Sequence, residues 1–301
     1  PPPPPPPPPL PNHPPPPPTY TRWYSSAASD VYKRQHTLGV EAAGVVEAVG
    51  EGVAVAVGER VAYAATPAGA YCERRCIAAD KLVSLPDDID DETAAAGMVK
   101  GMTAEFLLRR TYRVQPGDWV LLHAAAGGVG SIAVQWLKQL GANIIGTVGS
   151  DEKADRVRAL GCQHPVVYTR EDFVKRVQEI TGGAGVHVVY DSVGKATFHR
   201  GLEVLRRRGM LVGFGNASGP PEAVEPLLLA KHGSLYMTRP TLFDYTGTRP
   251  ELLDSAQAFF DVVRSGAVEV TINQRWPLSE AAVAHRALES RATTGSSVLI
   301  P

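Results

Sequence analysis

The 301 residues exceed one ordinary domain of about 100 to 200 residues and suit two. Thirty Lys and Arg against 31 Asp and Glu leave a formal net charge of −1, which draws in neither nucleic acid nor membrane and points to small-molecule chemistry. The three cysteines Cys72, Cys76 and Cys162 are too few for a disulfide framework, and no apolar run approaches the roughly 20 residues that span a bilayer, so a cytoplasmic protein in a reducing compartment is expected.

Residues 1–18 contain only proline apart from Leu10, Asn12 and His13. Such a tract has fixed φ and almost no backbone donors, so it extends as polyproline II and builds no core. Asp30-Val31-Tyr32-Lys33-Arg34-Gln35 follows, a stretch that can be encoded by GAT GTG TAT AAG AGA CAG, the transposase end used in preparing sequencing libraries. A proline run is likewise a translated run of C. Residues 1–35 are therefore expected to be a disordered, Pro-rich artefact joined to an N-terminally truncated gene, and are set aside from fold reasoning. The competing reading is a proline arm for SH3 or WW partners.

From His36 onward, short apolar runs bounded by glycines predict strands over 41–49, 59–65 and 70–79, and thus a β-rich region. In the last of these, strand spacing places Cys72 and Cys76 on one face as buried free thiols. Apolar residues at helical spacing then predict a helix over 91–110. Beyond it the elements alternate. Strands are predicted over 119–123, 143–148, 165–168, 186–191, 210–214 and 234–237. Helices are predicted over 129–140, 152–160, 171–180 and 196–205. Strands alternating with helices indicate βαβ units, and hence a doubly wound parallel sheet. A helix over 251–263 and strands over 268–272 and 297–300 end the chain, and these strands are expected to complete the β-rich region.

Between the first strand and helix of the alternating series lies His123-Ala124-Ala125-Ala126-Gly127-Gly128-Val129-Gly130. It supplies a dinucleotide fingerprint, Ala125-x-Gly127-x-x-Gly130, with alanine in the first glycine position. Small residues are needed there because the turn is tight and the backbone must approach a pyrophosphate closely. Free N–H groups and the helix dipole then favour the phosphate charge. The next strand ends Gly149-Ser150-Asp151 with Lys153 nearby. Small and hydroxyl residues plus a cation suit a ribose 2′-phosphate, whereas Asp151 would be the carboxylate of an NAD site if the turn were one residue longer. NADPH is the expected cofactor.

The run Lys100 to Gly117 (KGMTAEFLLRRTYRVQPG), continuing to AAAGGVG, resembles the signature of the zinc-free quinone oxidoreductases, the zeta-crystallin-like branch of the medium-chain dehydrogenase/reductases. Gly149-Ser150 with Lys153, Tyr168, Val189 to Gly194, Phe214 to Asn216, Gly233 to Tyr236, Thr238 to Pro240 and Glu289 to Ser297 match as well, so the likeness is nearly continuous from Leu38 to Pro301. It implies a GroES-like catalytic domain, incomplete at its N-terminus, over 36–100 and 242–301. That domain would enclose a Rossmann domain over 101–241, usually in a homodimer. It further implies that Phe106, Ala125, Gly127, Gly128, Val129, Gly130, Gly149, Ser150, Lys153, Tyr168, Ser192, Phe214, Gly215, Asn216 and Arg291 hold NADPH.

Catalytic zinc needs about three Cys, His or acidic ligands. Where zinc-dependent relatives carry Gly-His-Glu, this chain has Gly39-Val40-Glu41, and valine cannot ligate. No metal site is expected. Without a Lewis acid, the acceptor should be conjugated and electron-poor, a quinone or an enone. No pair of residues announces a general acid, so the catalytic residues stay unnamed; His123 reads as packing, and Tyr63 and Tyr71 as core or rim. The alternative function is an NADPH-binding protein without turnover, crystallin-like or RNA-binding, although the charge balance argues against RNA.

Overall fold

The computed structural model describes residues 38–290 and 293–301; the leader predicted over 1–35 and Arg291 lie outside them. Three antiparallel strands come first, β1 (Glu41–Val45), β2 (Arg60–Ala64) and β3 (Val83–Ser84), with β2 in the middle. Successive side chains of β2 point to opposite faces. Val61 and Tyr63 therefore join Leu82 in a small satellite cluster, while Ala62 and Ala64 face the main core.

No strand forms over 70–79. The N–H of Ala70 donates to Gly39 O and that of Tyr71 to Leu38 O, after which the backbone turns on itself, Cys72 N–H reaching Ala70 O at 3.0 Å. The shared buried face expected for Cys72 and Cys76 is corrected accordingly. Cys72 is half-buried with its Sγ 3.1 Å from Gly69 O, and Cys76 is exposed.

Helix α1 (Asp91–Phe106) starts at Asp90, whose carboxylate accepts from Thr93 N at 2.7 Å and satisfies an orphan donor of the first turn. It passes into a π turn over Leu107–Thr111. Strands and helices then alternate: β4 (Trp119–Leu122), α2 (Gly128–Gln139), β5 (Asn143–Val148), α3 (Asp151–Leu160), β6 (His164–Val167), α4 (Phe173–Ile180), β7 (Val186–Asp191), α5 (Phe198–Glu203), β8 (Leu205–Gly213), α6 (Pro226–Lys231) and β9 (Tyr236–Thr238). The six strands form one parallel sheet in the order β6-β5-β4-β7-β8-β9. Val120, Leu121, Ile144, Ile145, Val188 and Val189 are fully buried, because crossovers cover both faces. The order reverses between β4 and β7, and the crevice outside the carboxyl ends of such strands is where open α/β sheets bind ligands.

The chain closes with α7 (Leu242–Tyr245), α8 (Arg249–Arg264), β10 (Ile272–Pro277), α9 (Ala281–Glu289) and β11 (Ser296–Ile300). Helix α8 opens on a capping box of Thr248 and Glu251 and crosses α1 at Gly97 and Gly101, against which the Phe259 ring lies. The strand expected over 268–272 forms later, since Val268 is a buried loop residue whose N–H returns to Val262 O at the end of α8. β10 pairs in parallel with β11, and neither joins β1–β3, so the C-terminal strands do not extend the first sheet. Helix α1 touches both sheets, through β1 and through β11.

Candidate active site

The predicted glycine turn stands at the carboxyl end of β4. Its first residue, Ala124, takes φ +54°, a left-handed conformation that an alanine rarely adopts. Thr147 on β5 holds the turn there: its carbonyl accepts from Ala125 N at 3.0 Å and its hydroxyl oxygen from Ala124 N at 3.3 Å. Gly130 sits beneath, where a Cβ would overlap the Ala124 carbonyl oxygen and lie 2.7 Å from that of Ala125. Gly127 precedes α2 and no side chain caps the helix, so its first-turn N–H groups are left for another acceptor. This is the geometry that accepts a phosphate oxygen.

His123, between β4 and the turn, is 1 % exposed, with Nδ1 3.0 Å from the Thr147 hydroxyl and Nε2 lacking any partner. Burial pushes its pKa down to about 4, against the opposing pull of the Asp191 charge. The imidazole of an unfolded chain titrates near 6.5. Between these values the unfolded state takes up a proton that the folded state refuses, so stability is complete above about pH 6.5 and declines as pH falls toward 4, by roughly 3 kcal/mol. His123→Asn should flatten this slope in urea unfolding measured from pH 7 to 4; an unchanged slope would show that another group sets it.

At the carboxyl ends of β5 and β6, Gly149, Ser150, Lys153 and Tyr168 come together. A Cβ on Gly149 would stand 2.8 Å from the Tyr168 hydroxyl, and Tyr168 is half exposed beside it. Ser150 caps α3, its hydroxyl oxygen accepting from Lys153 N at 3.3 Å, a local role that the sequence reading did not give it. Asp151 pairs with Arg170, whose guanidinium holds its carboxyl below the usual range. Arg170 was missed by sequence reasoning. Its signal was its place two residues after Tyr168, just past the strand end.

At the ends of β7 and β8, Asp191 accepts from Val193 N at 2.7 Å, from Gly194 N at 3.0 Å and from the Thr197 hydroxyl at 2.8 Å, folding the chain sharply after the strand. The bend presses Ser192 against Gly215, where a Cβ would lie 2.6 Å from Ser192 O, and brings Asn216 against Gly194. Ser192, Phe214, Gly215 and Asn216 thus form one interlocked rim of the crevice. Phe106 does not join them. It is 1 % exposed and stacked on Tyr245 with ring centroids 4.5 Å apart, because the end of α1 packs into the core.

The side chain of Lys100, on α1, lies across Gly128, its Nζ 2.7 Å from Glu41 Oε1. Among the described residues no three His, Cys, Asp or Glu side chains converge.

The alcohol dehydrogenase GroES-like domain family matches residues 19–118, and the zinc-binding dehydrogenase family matches residues 128–257. The chain is 52 % identical over 267 residues to a quinone oxidoreductase of Salmonella typhimurium, covering 88 % of this chain and 82 % of that one. To 2-haloacrylate reductase of a Burkholderia species it is 48 % identical over 270 residues, covering 88 % and 80 %. The crystal structure of Escherichia coli quinone oxidoreductase complexed with NADPH superposes with a TM-score of 0.85 at 49 % identity, over 88 % of this chain and 82 % of that one. The sheet order, the glycine turn and this likeness agree: the chain belongs to the quinone oxidoreductase family of the medium-chain dehydrogenase/reductases.

Proposed function

We propose that this protein binds NADPH across the carboxyl ends of β4, β5, β7 and β8 and reduces a quinone or a similarly conjugated, electron-poor acceptor without a metal. The observation that carries the reading is the uncapped helix α2 behind a turn that has no room for a Cβ at Gly130, next to a cluster of Ser150, Lys153, Tyr168 and Arg170. Relatives named for a quinone and for a 2-haloacrylate have electron-poor conjugation in common. When bound, the cofactor supplies a hydride. The chain's residues orient it: Ala125 and Gly127 to Gly130 take the pyrophosphate, Gly149, Ser150, Lys153, Tyr168 and Arg170 the 2′-phosphate end, and Ser192 with Phe214 to Asn216 the opposite half. Arg291 belongs to the same proposal from its sequence match alone.

The 36–100 and 242–301 segments are proposed as one catalytic domain around the 101–241 cofactor domain. A homodimer is supported by the edge strand β9, where Tyr236 and Met237 are 57 % and 42 % exposed beside unpaired backbone groups. Three free thiols accord with a cytoplasmic, reducing setting, and no described helix is long and apolar enough to cross a membrane.

Steady-state NADPH oxidation with a panel of quinones and enones tests the reading, and no turnover with any of them refutes it; tight NADPH binding without turnover would favour a binding protein instead. Lys153→Ala should raise KM for NADPH about tenfold, the scale of one charge-assisted contact, while leaving KM for NADH unchanged. Equal changes for both cofactors would remove Lys153 from the 2′-phosphate.

A further inference from the structure

We propose that Lys100 is the group that polarises and protonates the acceptor oxygen, an inference that rests on the reductase reading above. Its Nζ donates to Glu41 Oε1 at 2.7 Å and to Ala96 O at 2.8 Å, while Glu41 Oε2 accepts from Val99 N at 2.7 Å. An ammonium has three N–H bonds, and these contacts use two. The Lys100 and Glu41 side chains are 23 % and 19 % exposed, so the cation is largely screened from bulk water without being sealed off. In a mostly buried pair the attraction is offset by desolvation of both charges, and Glu41 also accepts from Val99 N.

The position of the pair suits chemistry better than bracing. A Cβ on Gly128 would lie 2.9 Å from Lys100 Cδ and 3.1 Å from Cε, so the lysine stem lies along the start of α2. Its ammonium stands on the β1 side of the crevice, whereas Ser150, Lys153 and Tyr168 stand at the ends of β5 and β6. A conjugated acceptor there would meet a fixed positive charge at its carbonyl oxygen, in surroundings where such a charge acts strongly.

The step balances. As a hydride arrives at the far end of the conjugated system, the acceptor's π electrons move onto the carbonyl oxygen. One Nζ–H bond breaks, its proton passes to that oxygen, and the amine regains a proton from solvent. The acceptor thereby gains two electrons and two hydrogens. Tyr71, whose hydroxyl is 3.1 Å from His285 Nε2, also feels the Glu41 charge; burial and that charge keep it protonated. Tyr71→Phe therefore serves as a control.

The test uses the full chain and 4-nitrophenolate, a phenolate that mimics the charged oxygen, titrated by its absorbance shift in saturating NADP⁺. Lys100→Met should lose about tenfold or more in probe affinity and about 100-fold in kcat, with NADP⁺ affinity within about threefold. Lys100→Arg keeps the charge but cannot release a proton, so it should hold the probe and still turn over at least about 30-fold more slowly. Tyr71→Phe should change neither. Unaltered probe affinity in Lys100→Met, a parallel fall in NADP⁺ affinity, or no probe binding to the parent would overturn the assignment. If Lys100→Met does not fold, parent-like turnover in Lys100→Arg overturns it. A parent that binds the probe but reduces no quinone or enone sinks the reductase reading and leaves the oxyanion site at Lys100 standing.

Discussion

Gly130→Ala should weaken NADPH binding by about 100-fold or more, equivalent to roughly 3 kcal/mol, in a fluorescence titration. The added methyl meets the carbonyl oxygens of Ala124 and Ala125, which are backbone and cannot swing aside. Nor can the turn relax as a unit, because Ala124 is already left-handed and is held from β5 through Thr147. The methyl must push the turn away from the start of α2, and the N–H groups then no longer converge on one phosphate. Gly128→Ala is the matched control. Its methyl meets only the flexible stem of Lys100, so NADPH affinity should stay within a few-fold. Equal losses in the two variants would mean that the turn does not cradle the pyrophosphate as described.

Gly101→Ala should destabilise the protein by about 3 kcal/mol in denaturant unfolding, the upper range for overpacking a tight core. A Cβ there would overlap the ring of Phe259, which is fully buried between α8 and α1, and Gly97, one turn earlier, faces the same ring. The glycines let the two helices approach over an aromatic side chain, and the ring has no empty space to enter. Phe259→Leu in the Gly101→Ala background should recover part of the loss, since the smaller side chain makes room for the methyl. Phe259→Ala alone should cost about 3 to 5 kcal/mol through the cavity it leaves. If Gly101→Ala melts with the parent, the two helices do not pack through this pair.

The part of the fold legible in the sequence is the part whose side chains report their own surroundings. Strands β4, β5 and β7 are buried on both faces and rich in Val, Ile and Leu, and α2 carries one apolar stripe, so the order of the alternating series could be followed from Trp119; its bounds could not everywhere, since β8 starts at Leu205, inside the helix predicted over 196–205. The glycine turn was legible for the same local reason. Elements set by distant partners were not. The stretch 70–79 has the apolar content of a strand but bonds back to Leu38 and Gly39 instead of running along a ladder. Helices α6 and α9 are short and expose most of their side chains, which leaves little apolar period to detect. In the site, Phe106 was placed beside cofactor by likeness alone, and its stacking on Tyr245, far away in sequence, could not be seen. Thr147 beneath the turn and Lys100 on Glu41 were hidden in the same way, because each acts through a residue brought close only by the fold.

Helix α1 touches β1, β11, α2 and α8, and its own side chains fill the space among them. Neither half of the molecule can then loosen without losing a wall of its interior. Amide protons in the middle of α1 should exchange with solvent only when the whole chain opens, and they should slow further when the crevice is filled. Occupancy at the mouth of α2 would in this way be felt at β1 and β11 as resistance to proteolysis.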